Sequence, residues 1–308
     1  MSTFTAKDVK ELRDRTGAGM MDCKKALQEC AANMEDAVDW LRKKGLAAAA
    51  KKAGRTAAEG LIGVSVKGTT GAVVEVNAET DFVARNDQFQ KFVTDLADLA
   101  VESKADIETL RGNSFANSDK TIAEELTNLI AVIGENMDFR RVTTLSVEKG
   151  TVASYLHNAL GSGLGRVGVL VALESDADSA ELTALGKQIA MHIAAAHPQA
   201  LTVGDLNQET VARERAVFEE QARQSGRPAE FLGKMVEGRL RKFYEESVLL
   251  EQIFLIDDTK RKVSDVVADK AKELGKDIKL SGYVHFKLGD GIEKKEADFA
   301  AEVAELSQ

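Results

Sequence analysis

One arrangement occurs twice in this chain and constrains its fold more than any other feature. Two runs of alternating apolar and polar residues are parted by a glycine-containing turn and followed by an amphipathic helix. The first copy uses residues 60–67 and 71–77 around Gly68-Thr69-Thr70-Gly71, then a helix with Phe89, Phe92, Val93, Leu96 and Leu99 on one face. The second uses residues 154–160, a glycine-rich turn, residues 167–174 and a helix over 179–196. A period of two buries one face of a strand, and steps of three and four bury one face of a helix. Each copy therefore specifies an antiparallel hairpin backed by a helix. Glu79-Thr80-Asp81 matches Glu174-Ser175-Asp176, which sets Ala177 opposite Phe82. The reading is an internal duplication with an α+β fold. A third strand pair is expected late, 278–288 with 292–295 around Gly289-Asp290-Gly291, followed by a closing C-terminal helix over 297–306.

Residues 1–55 read as three short helices and a linker. Thr5 with Asp8 forms a capping box before Val9 and Leu12, and Asn33 with Asp36 does the same before Ala37, Val38 and Leu41. Thr16-Gly17-Ala18-Gly19 stops the first helix, and Met20, Cys23, Leu27 and Cys30 form the buried stripe of the second. The alanine- and lysine-rich stretch 46–58 is expected to be a helical or frayed connector that lets this module sit apart. Farther on, Val211, Phe218 and Ala222 form a thin apolar seam. Gly226-Arg227-Pro228 then turns the chain into Phe231, Met235, Val236, Leu240 and Phe243. That pattern predicts an antiparallel coiled-coil hairpin over 201–249, either a solvated arm or a docking place for another chain. The divisions are 1–55, a first core subdomain 56–145, a second from 146–200 with 250–288, the hairpin, and a C-terminal module 289–308.

Composition narrows the function classes. With 308 residues and 44% hydrophobic content the chain can bury more than one core. A net charge of -9 argues against a phosphate-collecting surface, so a protein partner is expected and no direct contact with nucleic acid. The first 54 residues lean basic, with eleven Lys or Arg against eight Asp or Glu. Cys23 and Cys30 are the only cysteines and make neither a disulfide framework nor a zinc spacing, which fits a reducing cytoplasm. No run approaches the ~20 apolar residues of a membrane span.

Several motifs invite a chemical reading. Gly163-Leu164-Gly165-Arg166-Val167-Gly168 fits the G-x-G-x-x-G fingerprint, but a strand follows it where a phosphate-binding helix should begin. His157, His192, His197 and His285 lack the spacing of a metal set, and no cofactor is expected. His157, beside the glycine turn, is a candidate surface contact. Met20 should be partly buried with Leu27, whereas Met21 lies ~140° from the stripe at about 100° per residue and should point outward, with Arg13 nearby. An exposed methionine makes an adaptable contact. Thr80-Asp81-Phe82-Val83 falls in a polar connector between strand and helix. Phe82 there is either a staple on the helix start or a projecting anchor. Convergent acid, base or nucleophile residues are not found, and the chain is not expected to be an enzyme.

The segments from Leu12 to Leu27, Glu75-Val76-Asn77 leading to Thr80-Asp81-Phe82-Val83, Arg166 to Val171, Val236-Glu237-Gly238-Arg239 and Gly291-Ile292-Glu293-Lys294 closely resemble the elongation factor Ts family, in order along the whole chain. The resemblance implies a ubiquitin-associated-like N-terminal module, two related α+β subdomains, a coiled-coil hairpin and a C-terminal module. It implies guanine nucleotide exchange on elongation factor Tu, in its GDP-bound and nucleotide-free forms. Carried onto this sequence, Thr80, Asp81, Phe82 and Val83 would approach the magnesium and phosphate end of the GTPase. Arg13, Met20 and Met21 would touch its nucleotide domain, and His157 and the last helix would add contacts. The hairpin would serve dimerisation or a further GTPase contact. One departure stands out: residues 158–165 lengthen the turn after His157 relative to the family's H-x-x-R-I-G-V pattern.

Overall fold

The computed structural model describes residues 4–116, 118–225 and 228–293. Thr5 caps α1 (Ala6–Thr16) reciprocally with Asp8, whose carboxylate accepts the Thr5 N–H at 2.6 Å. Gly17 ends the helix in the left-handed region. With α2 (Met20–Glu29) and α3 (Met34–Lys52), the latter capped by the Asn33 side chain, it encloses Leu12, Cys23, Ala26, Leu27 and Ala37, all fully buried.

The chain continues through β1 (Glu59–Lys67), β2 (Thr70–Ala78), α4 (Asp87–Ser103), α5 (Ile107–Gly112), α6 (Ile122–Ile133) and β3 (Met137–Ser146). It then forms β4 (Gly150–His157), β5 (Leu164–Gly165), β6 (Val167–Glu174) and α7 (Ser179–Ala196). Two long helices follow, α8 (Gln208–Gln224) and α9 (Ala229–Ser247), then α10 (Val263–Leu274) and β7 (Lys279–Lys287).

The strands make two sheets, β3-β2-β1-β5 and β4-β6-β7. Alternation along each strand assigns its side chains to two cores. Leu61, Ala72, Val74 and Val76 meet Phe89, Phe92, Val93 and Leu96 of α4, with α5 and α6 closing the layer through Leu110, Ile122 and Leu129. Ile62, Val64 and Val73 face Val152, Leu170, Ala172 and Phe286 of the other sheet. On that sheet's far side Val167, Val169, Val171 and Leu173 lie under α7 and α10. The layers run helix, sheet, sheet, helix. At Gly168 the two sheets approach closely: a Cβ there would stand 2.6 Å from Ile62 Cγ2.

Both sheets repeat one plan: a hairpin, a helix, then a third strand beside the hairpin's second strand. Even the irregularities correspond, with a register shift at Glu75/Val76 in one and Ala172/Leu173 in the other. Gly60 and Gly150 both have φ 118, and a Cβ would fall 2.2 Å from Val76 O and 2.0 Å from Leu173 O respectively. Gly60 pairs with Asn77 and Gly150 with Glu174, so Asn77 corresponds to Glu174. The sequence match of Glu79 with Glu174 is therefore two positions out, and Ala177 is not the counterpart of Phe82. The acidic triplets stand at different distances from the strand ends. The strand-to-helix connector is 79–86 in the first unit but only 175–178 in the second.

Other expectations shift for local reasons. The second hairpin starts at Gly150 rather than 154 and stops at His157, because Asn158 takes φ 53. β7 pairs with β6 as the edge of the second sheet, and Ile292 and Glu293, the described part of its expected partner, are not in a strand. β3 was not anticipated. α3 runs unbroken to Lys52, through the supposed connector, because its second half rests on α6. A Cβ on Gly45 would lie 3.2 Å from Ala131 Cβ, Arg42 pairs with Glu124, and Lys52 Nζ donates to Ile130 O. The N-terminal module is thus docked on the core rather than held apart.

α8 and α9 pack on each other around Ala222, Val236 and Leu240, with Phe218, Leu232, Met235 and Tyr244 beside them. Phe231, expected in this seam, is 46% exposed. Gly226 and Arg227 of the expected turn, Lys294 and Lys295, and the closing helix 297–306 lie outside the described residues.

Candidate functional site

Between Ala78 and the N-cap of α4 the chain makes a short projecting loop with a pinned stem. Asn86 caps the helix, its side chain accepting the N–H groups of Gln88 and Phe89 at 2.9 and 3.1 Å. At the other end, two carboxylates from facing loops each hold the opposite backbone. Glu79 accepts the Asn136 N–H at 2.5 Å and pairs with Arg55 at 3.4 Å. Glu135 accepts the Thr80 N–H at 3.0 Å with one oxygen and the Thr80 hydroxyl at 2.7 Å with the other. Val83 and Ala84 are buried in the first core, and a 3-10 turn over Val83–Arg85 leads to the cap.

Only the tip is free. Asp81 is exposed, and Phe82 is 77% exposed, so the ring does not serve as a staple on α4. Val83, grouped with the contact residues in the sequence, points into this chain's own interior and anchors the loop. Thr80 is occupied by Glu135. Of the four residues, Asp81 and Phe82 present the outward surface.

A second set of outward side chains comes from the N-terminal module. Met21 is 74% exposed, as its helical angle predicts, and Arg13 is exposed. Met20 departs from expectation at 54% exposed. It opens α2 directly after Gly19, so its first turn overhangs the module's small core instead of joining Leu27 inside it. Beside this tip a Cβ on Gly17 would sit 3.6 Å from Val132, in the last turn of α6. Glu135, which grips Thr80, follows that same turn. The end of α6 thereby meets the N-terminal module at Gly17 and leads directly into the residue that holds the Phe82 loop.

His157 is exposed at the end of β4, its Nδ1 within 3.2 Å of the Tyr155 hydroxyl. The long turn after it is a crossover to the first sheet. Gly163 O accepts the Val64 N–H at 2.8 Å, β5 pairs with β1, and Leu164 is buried in the first core. Arg166 reaches Glu59 at 2.8 Å, tying the turn to the start of β1. The G-x-G-x-x-G string therefore spans two strands in different sheets and presents no helix N-terminus to a phosphate.

His192 is fully buried: its Nε2 meets Gln252 Oε1 at 2.9 Å, and its Nδ1 accepts the Leu255 N–H at 3.2 Å. Burial holds it below the usual histidine range. The His285 ring stands 4.9 Å from that of His197 and is pushed down to about 4, first by burial and then by that neighbour. Among the described residues no group of three or more His, Cys, Asp or Glu is placed to hold a metal ion. No described helix is long and apolar enough to cross a membrane.

The exposed Phe82, Met20 and Met21 side chains, on elements held to the fold, form a candidate surface for contact with another macromolecule. The model of the family described as Elongation factor TS matches residues 79–290. The chain is 58% identical over 307 residues to elongation factor Ts of Rhodospirillum centenum, covering 100% of both chains. It is 58% identical over 305 residues to that of Rhodospirillum rubrum, covering 99% of this chain and 98% of the relative. With that of Bartonella bacilliformis it shares 52% over 302 residues, 98% of each. The chain belongs to the elongation factor Ts family, and it is a translation elongation factor rather than an enzyme.

Proposed function

We propose that this protein is the guanine nucleotide exchange factor for elongation factor Tu, binding the GDP-bound GTPase, dislodging its magnesium ion and releasing GDP so that GTP can enter. Exchange breaks no covalent bond. It requires a partner that fits the nucleotide-free GTPase better than the GDP form, and by linkage factor and GDP weaken each other equally. Speeding release ~10⁴-fold takes roughly 5.5 kcal/mol of differential interaction. A few aromatic and methionine anchors in a standard interface of about 1,600 Å² supply that much.

The observation that carries the reading is Phe82, 77% exposed at the tip of a loop whose stem is held on both sides. A ring left in water on a rigid mount has its use outside the chain. Magnesium needs near-ideal octahedral coordination, so a wedge among the groups supporting its shell loosens it, and Asp81 beside the wedge disturbs the phosphate network. Arg13, Met20, Met21 and His157 widen the contact, and the α8–α9 pair offers a further surface for the GTPase or a second copy.

The test is release of labelled GDP from purified elongation factor Tu, with association followed separately. Phe82→Ala is expected to slow release while the two proteins still associate. Release at the parent rate would discard the wedge.

A further inference from the structure

We propose that Glu135 is a positioning residue for the exchange surface: through Thr80 it fixes the direction in which Phe82 leaves the molecule. The inference rests on the wedge reading above and names what sets the wedge.

Three observations converge on Glu135. Both of its carboxylate oxygens are committed to one residue, the Thr80 backbone N–H at 3.0 Å and the Thr80 hydroxyl at 2.7 Å, two positions before the exposed ring. The other side of the tip is fixed by core packing at Val83 and Ala84 and by Gln90 Nε2, which donates to Ala84 O at 2.8 Å. Without Glu135 the nearest anchor on the N-terminal side would be Glu79, one residue farther from the ring. Finally, Glu135 follows Gly134, which ends α6 with φ 91, and α6 is the helix that also carries the N-terminal module through Gly45, Arg42 and Gly17. One rigid helix thus references both the methionine tip and the phenylalanine tip.

The neighbouring Glu79 does a different task. It ties Asn136 and Arg55, while Asn136 Nδ2 donates to Arg55 O at 2.7 Å, so that side of the box fastens the α3-to-β1 connection. Glu135 acts nearer the tip, on Thr80 itself. A loop already ordered before contact spends none of the interaction free energy on ordering itself when it meets its partner. Phe82 on a loosened loop would still bind, yet reach the wedged geometry less often.

The experiment follows labelled-GDP release from elongation factor Tu across a range of factor concentrations for Glu135→Ala, Glu135→Gln and Thr80→Val, alone and combined with Phe82→Ala. Glu135→Ala is expected to lower the maximal release rate about 3- to 10-fold and to leave the half-saturating concentration within about twofold. Glu135→Gln, which keeps an acceptor for Thr80, should fall less. In the Phe82→Ala background, Glu135→Ala should add nothing. An equal loss in that background, or an effect confined to the half-saturating concentration, overturns the role. Should Glu135→Ala melt early, Glu135→Gln and Thr80→Val decide by the same criteria. Phe82→Ala at the parent rate removes the wedge and this inference together; a slow Phe82→Ala beside a fast Glu135→Ala removes Glu135 alone.

Discussion

The Glu75 carboxylate, fully buried on β2, accepts the backbone N–H of Gly289 at 2.8 Å, so the second strand of the fold is fastened to residues that follow its last one. Arg140 at 3.2 Å, Arg141, and Asn77 Nδ2 at 3.0 Å complete its partners, and Arg141 stacks on the Phe286 ring at 4.1 Å. Removing one side of a buried, hydrogen-bonded ion pair costs more than the pair is worth, because the partner charges remain. Glu75→Ala should lower stability by about 2–4 kcal/mol, less than a fully sealed pair because both arginines reach water. A urea midpoint shift checks this, and Glu75→Gln should cost less.

Adjacent residues in the exposed loop should behave oppositely. Phe82→Ala should leave the stability nearly unchanged, within about 0.5 kcal/mol, since the ring buries little in this chain. Val83→Ala opens a cavity in the first core and should cost about 1–2 kcal/mol. Parallel thermal melts separate the contact residue from its anchor.

At Gly45 the question is docking. A β-branched side chain there meets Ala131, and overpacking costs about 1–3 kcal/mol. Gly45→Val should loosen the N-terminal module from α6 while the sandwich stays intact. Hydrogen exchange would show α1 and α2 opening more often with protection in α4 unchanged; equal protection everywhere would mean that α3 is not held by that contact.

Acid should weaken the protein through His285. An unfolded histidine titrates near 6.5, while burial, aided by the nearby charge of His197 and by Arg141 and Lys287 and opposed by Asp290, brings this one to about 4. Between those values the unfolded chain binds the extra proton. The contribution is therefore complete above about pH 6.5 and lost as pH falls toward 4, with a slope of at most ~1.4 kcal/mol per pH unit. The ring is half-buried, so solvent screening makes the real slope smaller. His285→Asn should flatten that limb of a stability-against-pH curve, and His192, shifted the same way, should keep part of it.

Periodicity made the regular elements legible. The three N-terminal helices, the first and third with their caps, both hairpins and the helices behind them follow from spacing, as does the outward angle of Met21. β3 escaped because its middle reads Arg140-Arg141-Val142-Thr143, polar in sequence, yet both guanidiniums are spoken for by Glu75 from 65 and 66 positions away. The loop's grip escaped for the same reason: Glu135 meets Thr80 across 55 positions, and a lone glutamate after a helix-ending glycine carries no local signal. Met20 and Phe231 misled because a correct helical stripe does not reveal where the covering neighbour stops. The continuation of α3 rests on what Gly45 lacks, a contact that belongs to α6.

The short strand β5 has a consequence for synthesis. Once Ser146 has left the ribosome, the first three strands of the initial sheet exist, but the free side of β1 gains its Leu164 and Gly165 partners only after the next hairpin is under way. An unpaired strand margin invites pairing with other chains. A ribosome stalled between those points would display such a margin at Ile62 and Gly63.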